Sequence, residues 1–171
     1  MIVPVSGMTA SPRRRASRML RQMCTARHDI ERLMYRYCTL IDAGDFAGVA
    51  ELFADADHIS SSGHTEHGAA GVLSYLERRT RRFPETGTPR TKHVTANVDI
   101  EIDPSETAAV AHSSFIVFQA VPGHLALQPI VAGRYEDRFV RTSDGWQFSE
   151  RRKFVELEGE LEQHLAWTPA G

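Results

Sequence analysis

The sequence predicts an α+β domain in which a curved antiparallel sheet wraps around about three N-terminal helices. Apolar residues recur at helical spacing through the first half of the 171-residue chain. From Lys92 onward the period falls to two, as strands require. Turn sequences separate the strand-like runs: Asp103-Pro104-Ser105-Glu106, Pro122-Gly123 and Ser143-Asp144-Gly145. Such turns join consecutive strands as hairpins, so the sheet is expected to be an antiparallel meander packed on a helical layer.

Residues 1–10 carry no periodic pattern, so the stretch 1–12 reads as a disordered leader that ends at Ser11-Pro12, a cap and first helical residue. From Asp29, a stripe of Ile30, Leu33, Met34, Tyr37, Cys38 and Ile41 marks one buried helix face, and Gly44 ends the helix. At 100° per residue Asp42 lies about 110° from the centre of that stripe, near the azimuth of Tyr35, so the two are expected to flank the buried face together. Asp45-Phe46 opens a short helix carrying Phe46, Val49, Leu52 and Phe53. Asp57 to Ser62 can run extended, and Gly68 to Phe83 reads as a third helix with Ala69, Val72, Leu73 and Leu76 inward. The Pro/Gly-rich stretch 84–89 breaks the helical pattern. The strand-like runs are His93 to Ile102, Thr107 to Val121, Leu127 to Arg141 and Trp146 to Leu157. Residues 13–157 form a single domain on this reading, and 158–171 a C-terminal tail whose Leu161, Leu165 and Trp167 would cap a pocket or dock at an interface.

Composition narrows the function. Twenty basic and twenty-two acidic residues give a formal charge of −2, the wrong balance for a phosphate-backbone binder, so no nucleic-acid partner is expected. No apolar run approaches the roughly 20 residues of a membrane span, and the first ten residues lack the pattern of a secretory signal; a cytoplasmic protein with no membrane partner is expected. On one helix Cys24 and Cys38 would lie about 21 Å apart, beyond disulfide reach. Phosphate-loop and nucleophile-elbow motifs are missing from the sequence. His58, His64 and His67 read as loop histidines without a carboxylate set, so neither metal nor cofactor is expected.

The candidate chemistry lies in His93 and Asp42. Alternation puts His93, Thr95 and Asn97 on one polar strand face, which is costly in a closed core unless it lines a cavity. A histidine held by a carboxylate takes a proton at neutral pH. The run Arg78, Arg79, Arg81, Arg82, Arg90 and Lys92 reads as a solvated basic face that could attract an anionic substrate. Which of Arg134, Tyr135 and Arg138 face the interior is left open by alternation alone, as is the case for His112.

The order of three helices and then a meander ending in Ser143-Asp144-Gly145-Trp146-Gln147-Phe148 resembles the nuclear-transport-factor-2-like fold, particularly its SnoaL-like branch, over roughly residues 25 to 157. That resemblance implies a cone-like half barrel. Asp42-Ala43-Gly44-Asp45-Phe46 is similar to the helix end that bears the catalytic aspartate of scytalone dehydratases, and Arg90-Thr91-Lys92-His93 resembles the segment leading to their catalytic histidine. Hexachlorocyclohexane dehydrochlorinase is related and uses the same kind of dyad. The resemblance thus implies contact between Asp42 and His93 and a cofactor-independent lyase or isomerase that abstracts a proton from a small apolar or cyclic substrate, with Tyr35 or Asn97 as substrate-binding donors. The dehydratases also have a second pocket histidine and a tyrosine pair; at the roughly matching places this chain has Phe118 or Gln119, Ile41 and Ser60. Alternatives on the same fold are a polyketide cyclase and a non-catalytic small subunit like that of ring-hydroxylating dioxygenases. A homo-oligomer, dimer or trimer, is expected from the outer face of a curved sheet.

Overall fold

The computed structural model describes residues 12–166, with side chains from Cys24 onward. Most of the expected leader, its Ser11 cap and Trp167 lie outside the described residues. The helices are α1 (Pro12–Asp42), α2 (Phe46–Glu51) and α3 (Gly68–Arg79); the strands are β1 (Asp57–Ile59), β2 (Thr65–His67), β3 (Thr91–Ile102), β4 (Ala108–Val121), β5 (Leu125–Thr142) and β6 (Gly145–Glu158). No helix among the described residues is long and apolar enough to cross a membrane.

The stripe on α1 forms the core as its spacing predicts: Ile30, Met34, Tyr37 and Ile41 are buried together with Phe46, Val49 and Phe53 around α2. Each large apolar side chain buried this way contributes about 1.5–3 kcal/mol relative to exposure. Gly44 closes α1 with φ +75°, and a Cβ there would sit 2.1 Å from the Gly87 carbonyl oxygen, so the turn that fixes the end of α1 needs glycine twice over. Asp45 caps α2 by accepting a 2.8 Å hydrogen bond from the Gly48 N–H.

The four long strands form the expected meander, and the sheet order is β2-β1-β6-β5-β4-β3. Two features correct the sequence reading. The sheet is mixed rather than wholly antiparallel, because β1 pairs parallel with β6, Asp57 opposite Glu150 and Ile59 opposite Arg152. The extended stretch after Asp57 ends at Ile59, and a second short strand, β2, folds back on β1 with His58 opposite Glu66. His58 and His67 therefore belong to strands and not to a loop. The third helix also stops four residues sooner than predicted. Thr80 is extended, at φ −115° and ψ 120°, and forms a β-bridge with Leu165 of the tail; a β-branched residue gives up little by leaving the helix.

The interior is divided. One apolar cluster joins the helices to the sheet. A second, of Phe115, Val117, Val121, Leu125, Ile130 and Tyr135, fills the far end of the half barrel. Between them the sheet's concave face stays open, and this gap holds the site.

Candidate functional site

The helix end and the strand start meet. Asp42, the last residue of α1, receives three hydrogen bonds from β3: its Oδ1 accepts from the Thr91 hydroxyl at 2.8 Å and from His93 Nδ1 at 2.7 Å, and its Oδ2 accepts from the His93 backbone N–H at 2.9 Å. Both side chains of the pair are only 7% exposed. Burial works against the Asp42 charge, but the hydrogen bonds and charge of His93, with the Thr91 hydroxyl, outweigh it and hold the carboxyl below its ordinary range. An ionised carboxylate accepts only, so the shared proton sits on Nδ1, and in the tautomer this fixes the ring's lone pair is on Nε2.

His93 lines a cavity of about 270 Å³ between the two apolar clusters, with Tyr37 and Ile41 of α1, Tyr75 of α3 and Phe115 and Tyr135 of the sheet among its walls. The C-terminal tail covers it. Leu161, His164 and Leu165 face the cavity, and the tail is tied down by Arg81 N–H donating to the His164 carbonyl, Ala166 N–H donating to the Arg79 carbonyl, and the buried Gln119 amide donating to Pro89 and Gln163 carbonyls.

Neither predicted substrate-binding donor reaches this cavity. Tyr35 is 46% exposed on the outside of α1, in a shallow surface groove with Arg32, Thr39 and Trp146; the azimuth it shares with Asp42 leads inward only at the end of the helix, where β3 closes over it. Asn97 leaves the inward face because the β3–β4 register shifts between Ala96 and Asp99. Asn97 takes up a φ of +52° in that bulge and donates to the Ser114 hydroxyl on the outside. Before the bulge Thr91, His93 and Thr95 point inward; after it Val98, Ile100 and Ile102 do. The open registers resolve too: Tyr135 is buried inward, whereas Arg134, Arg138 and His112 face out.

Sequence reasoning missed two histidines and a lysine. His58 of β1 is buried against the edge of Phe53, at 5.6 Å, and against Tyr75, at 5.3 Å. His164 comes from the tail, and Lys153 from the inward face of β6. The alternation Arg151, Lys153, Val155 was the signal for Lys153, but it is offset from Trp146 and Phe148 by an irregularity near Ser149. Tyr37 and Tyr135 flank the guanidinium of Arg151, 4.3 and 4.2 Å from their ring centroids. Burial pushes Tyr37 up to about 12 and Tyr135 well above the usual phenol range, so both remain protonated donors. Behind them Arg151 makes a bidentate pair with Asp137, at 2.8 and 2.6 Å, wholly inside the protein.

Burial, and then the charges of Lys153 and Arg151, depress His58 to about 3; burial, and then His93 and Lys153, depress His164 to about 4. A histidine that is neutral when folded but free to protonate near 6.5 when unfolded stabilises fully above 6.5 and loses that contribution as pH falls towards its folded value. Lowering the pH from about 7.5 to about 5 should therefore cost the protein on the order of 4 kcal/mol from these two rings. Urea melts at the two pH values measure it; equal midpoints would show the rings to be solvated.

A model of the SnoaL-like domain family matches residues 22–152. A search of curated protein sequences finds no match. Among solved structures, an NTF2-like protein with a cystatin-like fold from Novosphingobium aromaticivorans superposes with a TM-score of 0.70 at 21% identity, covering 88% of this chain and 92% of that one. LinA superposes at 0.66 with 17% identity over 84% and 95%. ActVI-ORFA from Streptomyces coelicolor does so at 0.61 with 20% identity over 75% and 96%. At these identities the likeness is one of fold.

Proposed function

Because the chain belongs to the SnoaL-like family and buries a histidine against a carboxylate on the wall of a cavity beneath the C-terminal tail, we propose that it is a cofactor-independent lyase or isomerase of the dehydratase type. The observation that carries this reading is the 2.7 Å contact between Asp42 Oδ1 and His93 Nδ1. It leaves Nε2 as the acceptor for a substrate proton. Nε2 takes a proton from a C–H made acidic by a neighbouring carbonyl or leaving group, while Asp42 fixes the tautomer and stabilises the imidazolium. Negative charge grows on the substrate's oxygen or leaving group, and the protonated phenols of Tyr37 and Tyr135 supply donors there in place of Tyr35 and Asn97.

Cavity size favours small substrates. A void of about 150 Å³ accommodates benzene, so 270 Å³ suits one or two rings rather than the polycyclic skeleton of a large polyketide. A non-catalytic subunit, for its part, has no use for a carboxylate held by three donors beside a cavity. The test is incubation in D2O with a panel of small cyclic ketones and β-hydroxy ketones. Deuterium exchange or loss of water at the activated carbon is the expected result; a panel that stays inert while the same compounds bind would overturn the reading.

A further inference from the structure

We propose that Lys153 anchors a carboxylate of the substrate, so that the substrate class is a small cyclic or aromatic acid whose carboxylate lies at Lys153 while its acidic C–H faces His93. The inference rests on the proposed function for its second half only. Lys153 stands on the inward face of β6 and lines both the cavity and a polar cleft beside it, bordered by Ser60, Ser62 and Arg78. It thus stands where the two pockets adjoin, with Tyr75 and Val155 also common to both.

Two neighbouring cations are answered by carboxylates. Arg151 is paired with Asp137 and Arg78 with Glu66. Lys153 makes no ion pair among the described residues; its ammonium lies 6.0 Å from the centroid of the Tyr75 ring. The titratable groups that share its cavity are Tyr37 of α1, Tyr75 and Arg79 of α3, His58 of β1, His93 of β3, Tyr135 of β5, Glu158 of β6 and His164 of the tail. Of these, Glu158 is the single carboxylate, and it is exposed at the rim. His58 and His164 each bury an Nδ1 atom that has no hydrogen-bond partner among the described residues. A half-buried ammonium without a counterion, beside two neutral imidazoles able to donate hydrogen bonds, is complementary to an anion with two oxygens.

Binding of benzoate and of its neutral isostere benzamide tests this, by calorimetry and by the histidine ring resonances. Benzoate should bind the wild type about tenfold or more tighter than benzamide, shifting the His58 and His164 signals. Lys153→Met should lose that advantage and leave benzamide unaffected, while Lys153→Arg keeps most of it and confirms that the position tolerates change. His93→Ala should still bind benzoate, which separates the anion site from the proposed chemistry. Equal affinity for the two probes, benzoate binding that leaves both rings unmoved, or full benzoate affinity in folded Lys153→Met would each overturn the proposal.

Discussion

Replacing His93 with alanine should lower turnover or exchange about 100- to 10,000-fold while the melting transition stays cooperative, because the ring supplies the proton acceptor. The fold should survive. His93 sits beside a cavity rather than inside a packed cluster, and Thr91 with the residue-93 backbone N–H still offers Asp42 two of its three donors. Asp42→Asn should be nearly as damaging, since an amide can donate to Nδ1 and favour the other tautomer. Steady-state rates on any substrate that the D2O panel reveals measure both. Turnover at the wild-type level in His93→Ala would remove the imidazole from the reaction.

The second large effect concerns stability. Asp137→Ala should destabilise the protein by about 3–5 kcal/mol, because it strands a guanidinium that has no access to water. Arg151 is 1% exposed and Asp137 fully buried. Burial works against the Arg151 charge and Asp137 outweighs it in the wild type; without Asp137 that burial cost is uncompensated, because a guanidinium does not give up its proton in a protein. Removing both charges, as in Asp137→Leu with Arg151→Met, should recover most of that loss, since apolar pairs of similar volume often replace buried ion pairs at little cost. Denaturant melts of the single and double variants decide it. A single variant within about 0.5 kcal/mol of wild type would mean that water reaches the guanidinium after all.

Much of this was legible in the residues. The stripe from Ile30 to Ile41 fixed the buried face of α1, and the four long strands lie within two residues of their predicted ends. Helix azimuth put Asp42 at the edge of the core and strand alternation put His93 on a polar strand face, but no local pattern could join positions 51 apart; likeness to a family supplied that contact, and the fold now gives it dimensions. The failures have local causes. A single bulge at residues 96–99 reverses the parity of β3, so Asn97 turns outward two residues beyond a correctly placed Thr95. Tyr35 was judged by azimuth alone, without the strand that covers one end of the helix and leaves the middle bare. His58 and His164 arrive from a three-residue strand and from the tail, segments too short to show a period.

The most direct test of the dyad is the tautomer of His93, read from long-range proton–nitrogen correlations of its ring at mildly alkaline pH. Proton abstraction by Nε2 requires a protonated Nδ1 held by Asp42 and a bare, pyridine-type Nε2 towards the cavity, changing in Asp42→Asn. A wild-type ring with its proton on Nε2 would contradict it.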